Sequence, residues 1–169
     1  NYLYVSTASD SLKNHLWDLS DLLVRRHGLG AKDLVIDIGC NDGTLLKGFY
    51  RHGVRALGVD PAQNLAVFTD GTGIERYTKL FTAASAQDIV ARWGRASLIT
   101  ATNTFPHIQN LGDFIDGLKT ALKPGGVFVI EMHYLLDIIE QVAFDTIYHE
   151  HVSYWALGPM QRLFEDHGM

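Results

Sequence analysis

The stretch DLVIDIGCNDGTLL, residues 33–46, decides the fold. It opens with a short apolar run that is bounded by Gly39, and it closes with an apolar helical pattern after Gly43. A short apolar run bounded by glycine is typical of a buried parallel strand. The stretch therefore predicts a strand, a tight glycine loop and a helix in direct succession.

The same order of strand and helix continues along the chain. Further strands are predicted at residues 55–61, 76–82, 96–105 and 127–134. Helices are predicted at residues 9–28, 43–53, 62–73, 85–94, 110–126, 135–144 and 158–168. Ser85 is the expected N-cap of its helix, and the Pro-Gly-Gly run at 124–126 is an expected helix stop. This alternation predicts an α/β fold, a mainly parallel sheet with helices on both faces.

Composition and charge limit the classes of function. A chain of 169 residues predicts one domain, with a helical part at 1–32, a core at 33–132 and a last part at 133–169. The single cysteine, Cys40, excludes an internal disulfide and a multi-cysteine zinc site and fits a reducing cytoplasm. A net charge of −5 offers no footprint for nucleic acid, and no apolar stretch is long enough to span a membrane. We therefore expect a cytoplasmic protein.

The predicted sheet places several loops in one crevice. In open α/β sheets, ligands bind at the carboxyl ends of the strands, where the strand order reverses. The loops expected there are residues 39–43, 60–61, 103–107 and 132–134. Gly39 and Gly43 permit positive φ and close approach to a ligand, but their G-x-x-x-G spacing lacks the pyrophosphate fingerprint. Asp37 before them and Asp60 at the end of the next strand favour a nucleoside, because a carboxylate there can accept hydrogen bonds from ribose hydroxyls. An ordinary strand–helix turn, with Asp60 as a helix cap, is the alternative.

The core resembles a known family. DLVIDIGCNDGTLL, ALGVDP and LKPGGVFVIE are similar to the motifs of class I S-adenosylmethionine-dependent methyltransferases, across about residues 33–132. The resemblance implies a Rossmann-like methyltransferase fold with S-adenosylmethionine as cofactor. That class usually has further strands after the fifth, so we expect this chain to be truncated before its last strands. The end of the chain at Met169, directly after a helix-ending Gly168, predicts the same.

The resemblance also implies roles for residues around the crevice. Gly39 and Gly43 would shape the pocket for the methionine end of the cofactor, and Asp60 would hold the ribose. Asp37 would orient the loop or reach the cofactor's amino group. The remaining cofactor candidates are Asn41, which stands where the class usually has glycine, and Asn103, which follows the fourth strand. Asp88 is a candidate for the adenine contact, although a carboxylate favoured by a helix N-terminus would explain it as well.

A second resemblance covers nearly the whole chain. YVSTAS near the start, ATNTFPHI after the fourth strand and YLLDIIE…FDTIYHEHVSYW are similar to the sugar C-methyltransferases. Those enzymes methylate nucleotide-linked 4-keto deoxysugars, which implies deoxysugar biosynthesis and a nucleotide-linked keto sugar as substrate. They also carry a cysteine-rich zinc-binding domain before this region and an α/β domain after it, so flanking domains of the parent chain are expected partners. The implied substrate-binding residues are Tyr4, Asn103, His107 and His133, the last in an EMHY run where VPY is more usual.

The run of residues 148–151 has the side chains that carbon methylation needs. A proton must leave the carbon next to a carbonyl, and the enolate oxygen that results must be stabilised. We predict His151 as the general base, with Glu150 orienting or charging the site and Tyr148 stabilising the enolate oxygen. His149 and His107 are the other catalytic candidates, because adjacent residues can point in different directions and His107 leaves the fourth strand at its carboxyl end.

Other interpretations of these residues stay open. A metal site of two histidines and one carboxylate could include His107, although the spacing is not that of a metalloprotease helix, and we predict no metal. A surface loop with capping roles is the simplest alternative. An O- or N-methyltransferase would use the same cofactor pocket, and a non-catalytic nucleoside-binding module would keep Asp60 without acid/base chemistry.

Overall fold

A computed structural model describes residues 5–169. The substrate-binding prediction for Tyr4 lies outside these residues. The helices are α1 (Asp10–His27), α2 (Thr44–Arg51), α3 (Ala83–Trp93), α4 (Leu111–Ala121), α5 (Leu135–Glu140) and α6 (Leu157–Asp166). The strands are β1 (Leu34–Ile38), β2 (Arg55–Val59), β3 (Glu75–Tyr77), β4 (Ala96–Thr102) and β5 (Leu122–Glu131). Short 3₁₀ turns lie at Ser6–Ala8, Gln63–Phe68, Phe105–His107 and Phe144–Thr146.

The strands form one five-stranded sheet in the order β3-β2-β1-β4-β5. All of its pairings are parallel. The chain moves outward from β1 to β3 and then returns to the other side of β1 with β4. The strand order therefore reverses between β1 and β4, and the predicted crevice lies at the carboxyl ends of these strands.

Helices cover both faces of the sheet, as predicted. Ile36 and Ile99 belong to a core that includes side chains of α3, α4 and α6. Their neighbours Val35 and Leu98 belong to a second core with α1 and α2. All four side chains are completely buried, and burying each one stabilises the fold by about 1.5–3 kcal/mol. Alternate residues of one strand thus pack into two different cores, which explains why β1 and β4 are mostly apolar on both faces.

Several predicted boundaries were wrong for local reasons. The third strand ends at Tyr77 rather than at residue 82, and the predicted helix at 62–73 is only a 3₁₀ turn. Thr82, not Ser85, is the N-cap of α3. The Thr82 hydroxyl accepts from the Ser85 amide and the Ser85 hydroxyl accepts from the Thr82 amide, so Ser85 is the third helical residue of a capping box.

The Pro-Gly-Gly run does not stop a helix. Helix α4 ends at Ala121 because Leu122 is already extended, and residues 124–126 lie inside β5. The residue before a proline favours extended backbone, which explains the earlier helix end. The pairing of β5 with β4 is irregular between Ala96 and Leu98, and this irregularity accommodates the proline and the glycines. At its other end β5 stops at Glu131, short of the predicted residue 134.

A search for a membrane-crossing helix in residues 5–169 finds none of sufficient length and apolar character.

Candidate active site

The glycine loop between β1 and α2 has a backbone that neighbouring groups can approach closely. Gly39 has φ 72° and Gly43 has φ 75°, both in the left-handed region that glycine adopts without strain. A Cβ atom on Gly39 would lie 2.1 Å from Oγ1 of Thr104, which follows β4. Only glycine therefore lets the loops after β1 and β4 meet at the crevice.

Asp60 directly follows β2, which ends at Val59 and not at the predicted residue 61, and its carboxylate holds this loop in place. Its Oδ2 accepts a hydrogen bond from the Asn41 amide at 2.9 Å, and its Oδ1 accepts one from the Ala62 amide at 2.8 Å. The carboxylate is mostly buried, with 8% of the residue exposed. A carboxylate has about four acceptor sites, so both oxygens can also accept from ribose hydroxyls.

The loop also holds the segment that precedes α1. Asn41 has φ 50°, and its side-chain oxygen accepts from the Ser6 amide at 3.1 Å. Asp42 accepts from the Thr7 amide at 2.8 Å and from the Thr44 hydroxyl at 2.6 Å. Burial would raise the pKa of Asp42, but the hydrogen bonds from Thr44 and Thr7 outweigh it and lower the pKa. Asn41 therefore replaces the usual glycine with a residue that tolerates positive φ and adds a hydrogen-bond acceptor.

Replacing Asn41 by glycine is expected to loosen the N-terminal segment while leaving the loop intact. Glycine adopts φ 50° freely, so the substitution removes the side-chain acceptor without straining the backbone. A neutral hydrogen bond contributes about 0.5–1.5 kcal/mol, so exchange of the Ser6 amide should become up to about 10-fold faster. Hydrogen exchange followed by NMR measures this effect, with the Gly39 amide as an internal reference. An unchanged Ser6 rate would show that Asn41 does not hold the segment.

Asp37 is buried at the carboxyl end of β1, next to the glycine loop. Its Oδ1 accepts a hydrogen bond from the Thr100 hydroxyl at 2.7 Å, and 2% of the residue is exposed. The pKa of Asp37 is raised to about 7, first by burial and also by the neighbouring Asp60 charge. The Thr100 hydrogen bond and the charge of Arg76 act in the opposite direction. The structure therefore gives Asp37 a carboxyl group that changes charge near neutral pH.

The loop after β4 and the run at 148–151 are joined at the crevice. The Val152 amide donates to the Pro106 carbonyl at 2.9 Å, and Nδ1 of His107 lies 2.9 Å from the Glu150 carbonyl. The rings of His107 and His151 are 4.8 Å apart between centroids, and His133 lies 6.4 Å from His151. The structure thus brings three of the predicted histidines together although they come from three separate loops.

His151 is held in the tautomer that a base requires. Its Nδ1 lies 2.9 Å from the Thr146 carbonyl oxygen, which can only accept, so Nδ1 carries the hydrogen. The neutral ring then has its lone pair on Nε2, which lies 2.9 Å from the Tyr148 hydroxyl. Tyr148 therefore donates its proton toward Nε2. The same reasoning places a lone pair on Nε2 of His107, because Nδ1 of that ring donates to the Glu150 carbonyl.

The remaining members of the run lie differently. His149 is exposed, and none of the described hydrogen bonds or ring contacts in residues 5–169 involves its side chain. Glu150 is also exposed and contributes its backbone carbonyl to His107. The pKa of Tyr148 is raised, first by desolvation and then by the Glu150 charge, so the phenol stays a hydrogen-bond donor. Thr146, which the sequence did not single out, orients His151 in the place predicted for Glu150.

The other predicted residues lie at the edge of the site, in the loops after β4 and β5. Asn103 has φ 52°, and its amide donates to the Glu131 carbonyl at 2.7 Å, which sets the two loops after β4 and β5 side by side. His133 is exposed beyond β5. Glu131 also pairs with His15 of α1 at 2.7 Å, a contact that nothing in the sequence signals because 116 residues separate the partners.

Asp88 is placed otherwise than predicted. It lies past the first turn of α3, which begins at Ala83, so the helix N-terminus does not explain it. Its carboxylate accepts a hydrogen bond from the Tyr77 hydroxyl at 3.0 Å. Among residues 5–169, no group of three histidine, cysteine or acidic side chains is arranged to hold a metal ion.

Comparison with known proteins identifies the family. The methyltransferase domain family matches residues 15–169. The chain belongs to this methyltransferase family. Such domains take the methyl group from S-adenosylmethionine, which is the cofactor that the sequence predicted.

Individual relatives agree with this assignment. The methyltransferase domain is 40% identical over 169 residues to the C-methyltransferase NovU of Streptomyces niveus, covering 100% of this chain and 40% of that protein. It is 29% identical over 118 residues to a ubiquinone biosynthesis O-methyltransferase of Methylobacterium sp. strain 4-46, covering 65% of this chain and 47% of that protein. The methyltransferase domain therefore spans less than half the length of these relatives.

A solved structure confirms the fold. A SAM-dependent methyltransferase from Archaeoglobus fulgidus superposes on this methyltransferase domain with a TM-score of 0.70, at 17% identity, covering 90% of this chain and 68% of that one. The Rossmann-like prediction is thus confirmed.

Proposed function

We propose that this domain transfers a methyl group from S-adenosylmethionine to a carbon atom next to a ketone, in a nucleotide-linked deoxysugar. The observation that carries the proposal is the state of His151. The Nε2 atom of its neutral ring carries a lone pair, which accepts a hydrogen bond from the Tyr148 hydroxyl at the edge of the proposed cofactor crevice. Methylation of an acidic heteroatom needs alignment and a base, whereas methylation of such a carbon needs a base together with a hydrogen-bond donor that stabilises the enolate oxygen. Both groups are adjacent here.

The residues present fit the cofactor. Gly39 and Gly43 both have positive φ and no side chain, so the loop backbone before α2 is open to close approach. These glycines would hold the methionine end, and Asp60 would accept from the ribose hydroxyls. When bound, the cofactor supplies an electrophilic methyl group on a sulfonium. Asp37 would place a carboxylate close to the amino end of the cofactor.

His151 and Tyr148 share the proton chemistry. His151 takes the proton from the carbon next to the ketone on Nε2 and becomes an imidazolium, which the Thr146 carbonyl continues to orient through Nδ1. Tyr148 turns its hydroxyl from Nε2 to the substrate oxygen, so that one rotation frees the base and stabilises the enolate. The electron pair left on the carbon would form the new bond to the methyl group that the cofactor would supply, and the electron pair of the broken carbon–sulfur bond would stay on the cofactor.

Similarity to a known enzyme supports a carbon atom as the methyl acceptor. NovU, a C-methyltransferase, is similar over the whole of this chain, whereas the O-methyltransferase relative is similar over 65% of it. His107 and His133 lie beside His151, and these two residues and Asn103 would contact the sugar. Glu150 would add negative charge beside the imidazolium. The flanking domains and the cytoplasmic location stay predictions.

The position of the transferred methyl group tests the proposal. The protein is supplied with S-adenosylmethionine that carries a deuterated, carbon-13-labelled methyl group and with nucleotide-linked 4-keto deoxysugars. NMR is expected to show the labelled methyl bonded to a carbon next to the ketone. A label found on oxygen or nitrogen instead would favour the alternative methyltransferases. Cofactor binding with no turnover on any keto sugar or phenol would favour a nucleoside-binding module.

A further inference from the structure

A row of side-chain positions crosses four strands directly beneath the glycine loop. In the sheet register, Thr100 of β4 pairs with Asp37 of β1, Asp37 pairs with Gly58 of β2, and Gly58 pairs with Arg76 of β3. Paired residues of parallel strands point to the same face of the sheet. This face is the one that α1 and α2 cover, because Val35 of β1 belongs to the core with those helices.

Gly58 lies between Asp37 and Arg76 in this row and has no side chain, so the Arg76 side chain can extend across it. A Cβ atom on Gly58 would lie 2.5 Å from Sγ of Cys40, so the loop packs directly on the β2 backbone. Over this glycine, Nη1 of Arg76 donates to the Asn41 carbonyl at 2.8 Å. The guanidinium of Arg76, on the edge strand β3, therefore holds the glycine loop against the sheet.

The rest of the guanidinium is buried without direct hydrogen bonds. Nε and Nη2 of Arg76 are inaccessible and have no hydrogen-bond partner within residues 5–169. A buried, incompletely paired cation is costly unless negative charge lies nearby. Asp37, in the same row, supplies such charge, and the two side chains interact electrostatically. The arrangement thus costs stability, which is typical of sites retained for function.

We propose that Arg76 is a positioning residue of the cofactor site, which holds the glycine loop and favours the ionised form of the Asp37 carboxylate while the cofactor binds. The inference rests on the proposed function in one respect, because it takes this loop as the cofactor site. It goes beyond that function by assigning a charge-setting role to a strand that contributes no other part of the site.

The charges around Asp37 give the direction of the effect. The pKa of Asp37 is about 7: burial and the Asp60 charge raise it, whereas the Thr100 hydrogen bond and the Arg76 charge lower it. The Cys40 thiol on the loop stays neutral because burial raises its pKa. Removal of the Arg76 charge therefore moves the Asp37 pKa upward. At neutral pH more of the protein would then hold a protonated Asp37.

Three substitutions separate the charge from the hydrogen bond. Arg76→Met removes both, Arg76→Gln keeps an amide donor for the Asn41 carbonyl without charge, and Arg76→Lys keeps the charge. Arg55→Met is the matched control, because Arg55 lies on the neighbouring strand and its guanidinium donates only to the Trp93 carbonyl on the surface. Asp37 is titrated by carbon-13 NMR of its carboxyl carbon, without cofactor, and S-adenosylhomocysteine affinity is measured across the same pH range.

The Asp37 titration tests the role of Arg76, and the S-adenosylhomocysteine affinity tests whether this loop is the cofactor site. Arg76→Met and Arg76→Gln are expected to move the Asp37 titration to higher pH, and the midpoint of the affinity profile with it, whereas Arg76→Lys and Arg55→Met stay near the wild-type midpoint. An Asp37 titration that is unmoved in both uncharged variants would overturn the proposal. A wild-type protein that titrates as expected but does not bind S-adenosylhomocysteine would instead contradict the proposed function. If Arg76→Met does not fold, the milder Arg76→Gln decides the question.

Discussion

Replacing His151 by alanine is expected to slow proton loss from the substrate carbon by about 10²–10⁴-fold. The imidazole Nε2 has its lone pair available because the Thr146 carbonyl fixes the hydrogen on Nδ1. Alanine removes the base but leaves the glycine loop and Asp60 unchanged, so cofactor affinity should be retained. Proton loss is measured as exchange with deuterated water at the carbon next to the ketone, and methylation should fall in parallel.

The chain offers a matched control in His149→Ala. His149 differs from His151 by two positions but is exposed, and its ring lies outside the contacts that join His107, His151 and Tyr148. His149→Ala should exchange its substrate proton near the wild-type rate. If His151→Ala does so as well, the base is not His151, and His107, whose Nε2 also has a lone pair, becomes the candidate.

Replacing Asp60 by alanine is expected to weaken cofactor binding by about 10- to 150-fold. Hydrogen bonds to a charged group contribute about 1.5–3 kcal/mol, and the ribose hydroxyls would lose their acceptor. The structure adds a second loss, because the Asn41 amide would no longer be held against the end of β2. Asp60→Asn, which keeps one acceptor oxygen, should fall between the wild type and Asp60→Ala.

Calorimetry with S-adenosylhomocysteine measures this loss of affinity. Asp70→Ala is the matched control, since Asp70 is an exposed carboxylate that follows the 3₁₀ turn after β2. Circular dichroism establishes that each variant is folded. Unchanged affinity in Asp60→Ala would remove Asp60 from the cofactor site.

The fold was predictable because its signals are local. A strand buried on both faces is apolar throughout, and Gly39 marks where β1 must turn; both features are visible without any partner. Element boundaries were less predictable where two signals compete. Thr82 and Ser85 can each cap a helix, and only the reciprocal hydrogen bonds show that Thr82 does. Pro124 was expected to end a helix but lies within a strand, because the helix had already ended at Ala121.

The position of a candidate residue in the fold was predictable where the residue type and its place in the chain are sufficient. Asp60 at the end of β2 is such a case. Partners that are distant in sequence were missed, because a hydrogen bond such as that between Thr100 and Asp37, 63 residues apart, leaves no local pattern. In the sequence Arg76 is an ordinary polar residue of a strand, and only the register of β2 and β3 places it beside Gly58. The choice between His149 and His151 also depended on the direction in which each side chain leaves the backbone, which the sequence does not show.

Exchange catalysed by the wild-type protein without a methyl donor tests the central claim most directly. The nucleotide-linked 4-keto deoxysugar is incubated in deuterated water with the protein and S-adenosylhomocysteine, which fills the cofactor site but cannot donate a methyl group. Our account predicts that deuterium enters the carbon next to the ketone, faster than without protein and in a manner that depends on His151. A substrate that is methylated when S-adenosylmethionine is supplied, yet shows no protein-dependent exchange with S-adenosylhomocysteine, would contradict proton abstraction at this site.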